Sequence, residues 1–84
     1  MSENDLDAIK GYIRNGFGSL GITAGEPIIS DRVVCVNCHG IHPIDSLTAA
    51  DRIAQEMGRK GWNVDVWFDE MENVLRVAQK EKEE

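Results

Sequence analysis

The sequence predicts a small α+β domain, or a small α/β one. Three observations carry this. Apolar residues recur at helical spacing in two stretches, at Leu6, Ile9, Ile13 and Phe17 and again from Leu47 to Met57. Short β-branched runs, Ile28-Ile29 and Val33-Val34-Cys35-Val36, stand between them. Trp62-Asn63-Val64-Asp65-Val66-Trp67-Phe68 then alternates, so Trp62, Val64, Val66 and Phe68 share one face and Asn63, Asp65 and Trp67 the other. The expected order is helix, short strand or hairpin with a Cys/His turn, helix, strand and C-terminal helix.

Asn4 can cap the first helix, with Asp5 and Asp7 complementing its positive end. Gly16, Gly18 and Gly21 end it, and Gly25-Glu26-Pro27 marks a turn. Residues 28–36 read as two short strands, or one bent strand, around Ser30-Asp31-Arg32. Pro43 biases His42 away from helical geometry.

In the second helix Thr48 and Asp51 resemble a capping box, with Ser46 as the other cap. Leu47, Ala50, Ile53, Ala54 and Met57 form its apolar stripe. Arg59 and Lys60 suit its negative end, Glu56 and Lys60 pair at i,i+4, and Gly61 stops it.

Two readings compete after residue 68. Asp69 to Glu72 resembles another capping box, with Met71, Val74, Leu75 and Ala78 on one helical face. Alternatively Val74–Val77 pairs back on Val64–Phe68 over Asp69–Asn73. That loop lacks glycine, so the helix is preferred. Residues 80–84 read as a frayed charged tail. Antiparallel ferredoxin-like or split arrangements remain open, beside a βαβ unit joining 33–36 to 62–68.

The 84 residues make one domain, 1–84, with a thin core that a staple would help. No apolar run reaches the roughly 18 residues of a membrane span. The acidic start, Met-Ser-Glu-Asn-Asp-Leu-Asp, has no apolar core of a secretory signal, so a cytoplasmic, thiol-reducing setting is expected. Net charge is −6, with an excess of acids concentrated in residues 63–84. That balance disfavours nucleic-acid phosphates and suits solubility or a basic protein partner.

Both cysteines and both histidines fall in Cys35-Val36-Asn37-Cys38-His39-Gly40-Ile41-His42. Zinc is the sharpest reading. Cys-x2-Cys is half of many structural zinc sites, Asn37 and Gly40 let the backbone curl, and His42 lies far enough on to turn back. Cys35, Cys38 and His42 make three ligands. The fourth would be His39, Asp45, a residue of a second chain or water. His39 is the poorer ligand, because neighbouring side chains in extended backbone diverge. A shared site would make a homodimer. Structural zinc would stabilise a thin core directly.

Cys35-Val36-Asn37-Cys38-His39 also resembles the c-type haem attachment signature, Cys-x-x-Cys-His. The resemblance implies thioethers at Cys35 and Cys38 and an axial His39, with Met57 or Met71 as the sixth ligand. A dithiol redox couple is a third reading, although Gly40 and Pro43 separate the pair from the helix N-terminus that would activate a thiol. Fourth, Cys35 and Cys38 are small apolar residues packed at a strand end.

Trp62 reads as core. Trp67 is either exposed for contact, or covered by the first helix or a second subunit. Arg52, Arg59 and Lys60 interleave with Asp51 and Glu56 and read as a solvated face. Catalytic patterns are missing: there is no His-Glu-x-x-His, Ser46 lacks an elbow, and Gly16-Phe17-Gly18 does not continue as a dinucleotide fingerprint. Asp45 is the nearest general base for an open zinc. The expected function is a non-enzymatic, zinc-stabilised protein-interaction module. The alternatives are a haem or dithiol redox protein and a small open-site zinc hydrolase.

Overall fold

A computed structural model describes residues 3–80. The order is α1 (Glu3–Gly18), β1 (Ile28–Ser30), β2 (Val33–Asn37), α2 (Pro43–Arg59), β3 (Val64–Asp69) and β4 (Val74–Gln79). The strands form one antiparallel sheet in the order β1-β2-β4-β3. Because β2 and β3 both run against β4, they are parallel to each other. The crossover β2-α2-β3 is therefore split by β4, which joins the antiparallel and βαβ alternatives in one α+β arrangement.

Both helices pack on one face of the sheet. Leu6, Ile9, Ile13 and Phe17 of α1 meet Ala49, Ile53 and Met57 of α2 over Val34, Val36, Leu75 and Val77, all buried in one cluster. Register explains the strand contribution. Val34 and Val66 flank Val77, and Val36 and Phe68 flank Leu75, so two apolar rows cross under the helices. Tyr12 of α1 meets Trp62 edge to face, with centroids 6.0 Å apart, which places Trp62 against the core as expected.

The two helices end in the same way. Ile22 N–H donates to Phe17 O at 3.1 Å and Gly21 N–H to Gly18 O at 2.9 Å. Trp62 N–H donates to Met57 O at 3.0 Å and Gly61 N–H to Gly58 O at 3.1 Å. These are Schellman closures, and Gly21 (φ 72°) and Gly61 (φ 85°) supply their left-handed residue. Gly61 thus stops α2 as expected, whereas Gly16 and Gly18 lie within α1.

Helix starts differ from expectation. Backbone helicity begins at Glu3, so Asn4 lies inside α1 rather than at its cap. α2 begins at Pro43, and its cap is His42, extended at φ −61° and ψ 136°, whose Nδ1 accepts from Ile44 N–H at 3.1 Å. Proline suits the first helical position because it lacks the N–H that would go unpaired there. Thr48 instead donates back to Ile44 O at 2.8 Å. The buried stripe keeps Ala50, Ile53 and Met57 and takes Ser46 and Ala49 in place of Leu47 and Ala54. Leu47 is exposed. Glu56 pairs with Arg59 rather than with Lys60.

The largest difference lies at the end of the chain, where residues 74–79 form β4 instead of a helix. Two facts account for it. Leu75 and Val77 alternate into the core between neighbours on both sides. The missing glycine is replaced by Asn73, at φ 54°, and by Asp69, whose Oδ1 accepts from Met71 N–H at 3.0 Å and Glu72 N–H at 3.2 Å. Asp69 caps a turn rather than a helix. In the other hairpin, the two residues between Ser30 and Val33 have φ of 50° (Asp31) and 63° (Arg32), the signs a type I′ turn requires. Lys80 is tied to the sheet, with its N–H on Asn63 O at 2.9 Å and its Nζ 3.2 Å from Asp65. The rest of the expected tail, 81–84, lies outside the described residues.

Candidate functional site

The Cys/His segment runs from the middle of β2 to the start of α2, and the fold disperses its side chains. Val34 and Val36 point into the core, so Cys35 between them points to the opposite face, where it stands between Ile28 and Arg76. Cys38 belongs to the core cluster and is 1% exposed, with its Sγ 3.6 Å from Val36 O. Its N–H donates to Asn73 O at 2.7 Å, which continues the β2–β4 ladder by one residue. His39 is exposed. Its N–H donates to Asn37 Oδ1 at 2.8 Å, and this closes the turn. His42 is exposed and its Nδ1 serves the helix cap.

Chemistry follows from that placement. Burial pushes the Cys38 thiol above its ordinary pKa, with smaller opposing contributions from the Ser46 hydroxyl and the Leu75 backbone. Ser46 Oγ, beside it in the core, is itself buried with no hydrogen-bond partner among the described residues. A zinc ligand must be a thiolate, and the ligands must converge. Among the described residues no group of three or more His, Cys, Asp or Glu side chains is set to hold a metal ion. Asp45 is exposed in the first turn of α2 and does not complete one. The four residues as folded do not fit a zinc tetrahedron. A haem's two thioethers, or a dithiol pair, would need both sulfurs on one accessible side, and a strand that sends Cys35 outward and Cys38 inward does not provide it.

The sheet itself presents a second candidate. Its face away from the helices carries the row Ile28–Cys35–Arg76–Trp67, one residue from each strand. Val33 and Ala78 flank it on one side and Val74 on the other. Ile28 is 64% exposed and Trp67 41%, and the four smaller apolar residues are half-buried. Trp67 is thus not covered by α1, which lies on the other face.

The charges on this face are held in place. Arg76 Nη1 donates to Asp69 Oδ2 at 2.6 Å, and Lys80 pairs with Asp65. The Glu72 N–H first, and then Arg76, hold the Asp69 carboxyl below its ordinary pKa, and Asp69 in turn raises Arg76. What remains is an apolar band with a fixed guanidinium at its centre. Arg76 carries no role in the sequence reading, and Ile28, Val74 and Ala78 enter it only as strand or helix formers. The signal lay in period-two alternation of 74–79, which puts Val74, Arg76 and Ala78 on the side of Trp67 once that segment is a strand.

A groove of about 700 Å³ runs between α1 and α2, lined by Tyr12, Asn15, Asp51, Arg52, Glu56 and Arg59 among others. Arg59 pairs with Glu56, and Arg52 donates to Ser19 Oγ at 3.2 Å, so this basic patch is internally balanced. Among the described residues no helix is long and apolar enough to cross a membrane. Comparison with protein-family models, curated proteins and solved structures gave no match for this chain.

Proposed function

We propose that this chain is a non-enzymatic protein-interaction module whose working surface is the open face of its sheet. The row Ile28–Cys35–Arg76–Trp67 carries the reading. It sets an exposed isoleucine and an exposed tryptophan on a four-stranded sheet, with an arginine between them. Tryptophan and arginine are the residues that most often dominate binding energy at interfaces, and a contiguous apolar patch on a small domain marks a contact surface. The intramolecular ion pairs at Asp69–Arg76 and Asp65–Lys80 pre-organise the face and leave its apolar groups available. Asp31 and Arg32 share the turn at one end of the sheet, whereas Glu70 and Glu72 make the other end acidic, so the complementary partner is a protein with an apolar patch bordered on that one side by basic groups.

This reading needs no metal. The zinc-stabilised form of it would require the Cys/His segment to rearrange and bring Cys38 out of the core.

A photo-crosslinking residue placed at Trp67 tests the reading in the cells the chain comes from, with the same residue at exposed Asp51 as control. One discrete adduct is expected from position 67, lost when Ile28→Glu is added. The same adducts from both positions would reject the face as the working surface.

A further inference from the structure

Strand β3 ends the sheet, and among the described residues no strand pairs with its outer edge. The ladder shows which backbone groups that edge presents. Lys80 N–H bonds to Asn63 O at 2.9 Å, and Asn63 stands opposite Lys80 by extension of the Val64↔Gln79 register. In an antiparallel ladder, bonded and non-bonded pairs alternate. Asp65, Trp67 and Asp69 therefore bond inward to β4, and Val64, Val66 and Phe68 turn their N–H and C=O groups outward. The other side of β4 agrees. Cys38 N–H on Asn73 O makes Val36↔Leu75 and Val34↔Val77 the bonded pairs there, which leaves Val74, Arg76 and Ala78 to bond β3.

We propose that this edge pairs antiparallel with the same edge of a second copy of the chain, about a two-fold axis through Val66, joining two four-stranded sheets into one. The proposal goes beyond the reading of the open face: it uses the backbone edge of β3, and of the open row it touches only Trp67.

The register follows from charge. With the axis at Val66, Val66 meets Val66 of the second copy and Val64 meets its Phe68, each pair exchanging two backbone bonds. Asp65 then faces Trp67 of the second copy, and Asp69 faces its Asn63, so no acids oppose. Moving the axis by one residue sets Asp65 against either Asp65 or Asp69 of the second copy, and like charges directly opposite destabilise a sheet. Within each chain Asp65 and Asp69 are already held by Lys80 and Arg76.

Natural edges are usually guarded by charged side chains, lysine above all, by proline or by a bulge. The two charges of β3, Asp65 and Asp69, are neutralised within the chain by Lys80 and Arg76. Residues 64–69 contain no lysine or proline, and their register with β4 is unbroken. On the helix side, half-buried Val64, Val66 and Phe68 extend the core rows to the edge, and the same three residues of a second copy would continue those rows. A foreign strand would have to supply that pattern independently.

Analytical ultracentrifugation of the full chain over a concentration series is the test. A monomer–dimer equilibrium is expected. Val66→Pro removes an N–H that β4 does not use, and proline is tolerated at such edge positions, so this variant keeps the circular-dichroism spectrum of the fold. Its dimer dissociation constant is expected to rise by roughly tenfold or more, since two interchain bonds vanish. Independently of how that variant folds, Val66→Cys in a Cys35→Ser background is expected to form a covalent dimer under mild oxidation. Val64→Cys in the same background is not, because Val64 meets Phe68. A chain that stays monomeric at every concentration overturns the proposal. So does an unchanged dissociation constant in folded Val66→Pro, or equal crosslinking of the two cysteine variants.

Discussion

Gly16 of α1 lies directly against Ile53 of α2. A Cβ at position 16 would overlap Ile53 Cγ1 and stand 3.0 Å from Cδ1. The missing side chain lets the helices approach and bury Ile53 between them. This glycine is a packing residue, although in sequence it looks like part of a helix stop.

Gly16→Ala is therefore expected to lower stability by about 1–3 kcal/mol through overpacking, despite alanine's better helix propensity. Gly11, in the same helix, has nothing within 4 Å of its Cβ position. Gly11→Ala should raise stability by about 0.5–1 kcal/mol. Urea denaturation of the two variants checks the opposite signs, and equal shifts would contradict the contact.

Asp69 links stability to pH. The Glu72 N–H and Arg76 depress its carboxyl in the folded chain relative to the ordinary Asp value of about 3.9. The unfolded state therefore takes up the proton first as pH falls. The contribution is present above about pH 4 and is lost as pH drops below it. Thermal melting from neutral to acid pH should show stability falling in that window. Asp69→Asn should flatten the fall, and a parallel pH profile for the variant would refute the assignment.

The two cysteines should behave differently. Cys35, on the open face, is expected to react with a maleimide in the native protein. Cys38, in the core with its pKa raised, should react only on unfolding. Cys38→Ser places a hydroxyl in apolar packing and should cost about 1–3 kcal/mol, and Cys35→Ser less than about 0.5 kcal/mol. Added zinc and added chelator should leave the melting midpoint unchanged. A zinc-dependent rise abolished by Cys38→Ser would reinstate a coordination site.

His42 gives an independent check on the same segment. As an N-cap, its loss in His42→Ala should cost about 0.5–2 kcal/mol, and His42→Asn, a preferred cap, should retain the stability. Chemical denaturation separates the two. Equal losses from both substitutions would point to a role for the imidazole beyond capping Ile44.

Much of the backbone is legible locally. Leu6, Ile9, Ile13 and Phe17 recur with the helical period, and all are buried. The alternation of residues 64–68 fits only a strand with one face on a core. Gly21 and Gly61 are required where two helices close through a left-handed residue. In each case the signal spans a few neighbouring residues, which suffice for periodicity and turn chemistry to act.

Other features depended on contacts between distant parts of the chain. Residues 74–79 satisfy a helical pattern and a strand pattern alike. Strand wins because Leu75 and Val77 find partners at Val36 and Val34 on one side and at Phe68 and Val66 on the other. Cys38 is drawn into the core because its backbone extends the ladder to Asn73 while its side chain enters the packing shared with Ser46. Short spacing in sequence could not show that Cys35, three residues earlier, faces the other way. The row Ile28–Cys35–Arg76–Trp67 exists only once four strands are in register. Where helices and turns could form was readable from the order of residues, because local sterics and hydrogen bonds set it. Which side chains meet came only from packing, because burial is shared among residues that the chain order keeps apart.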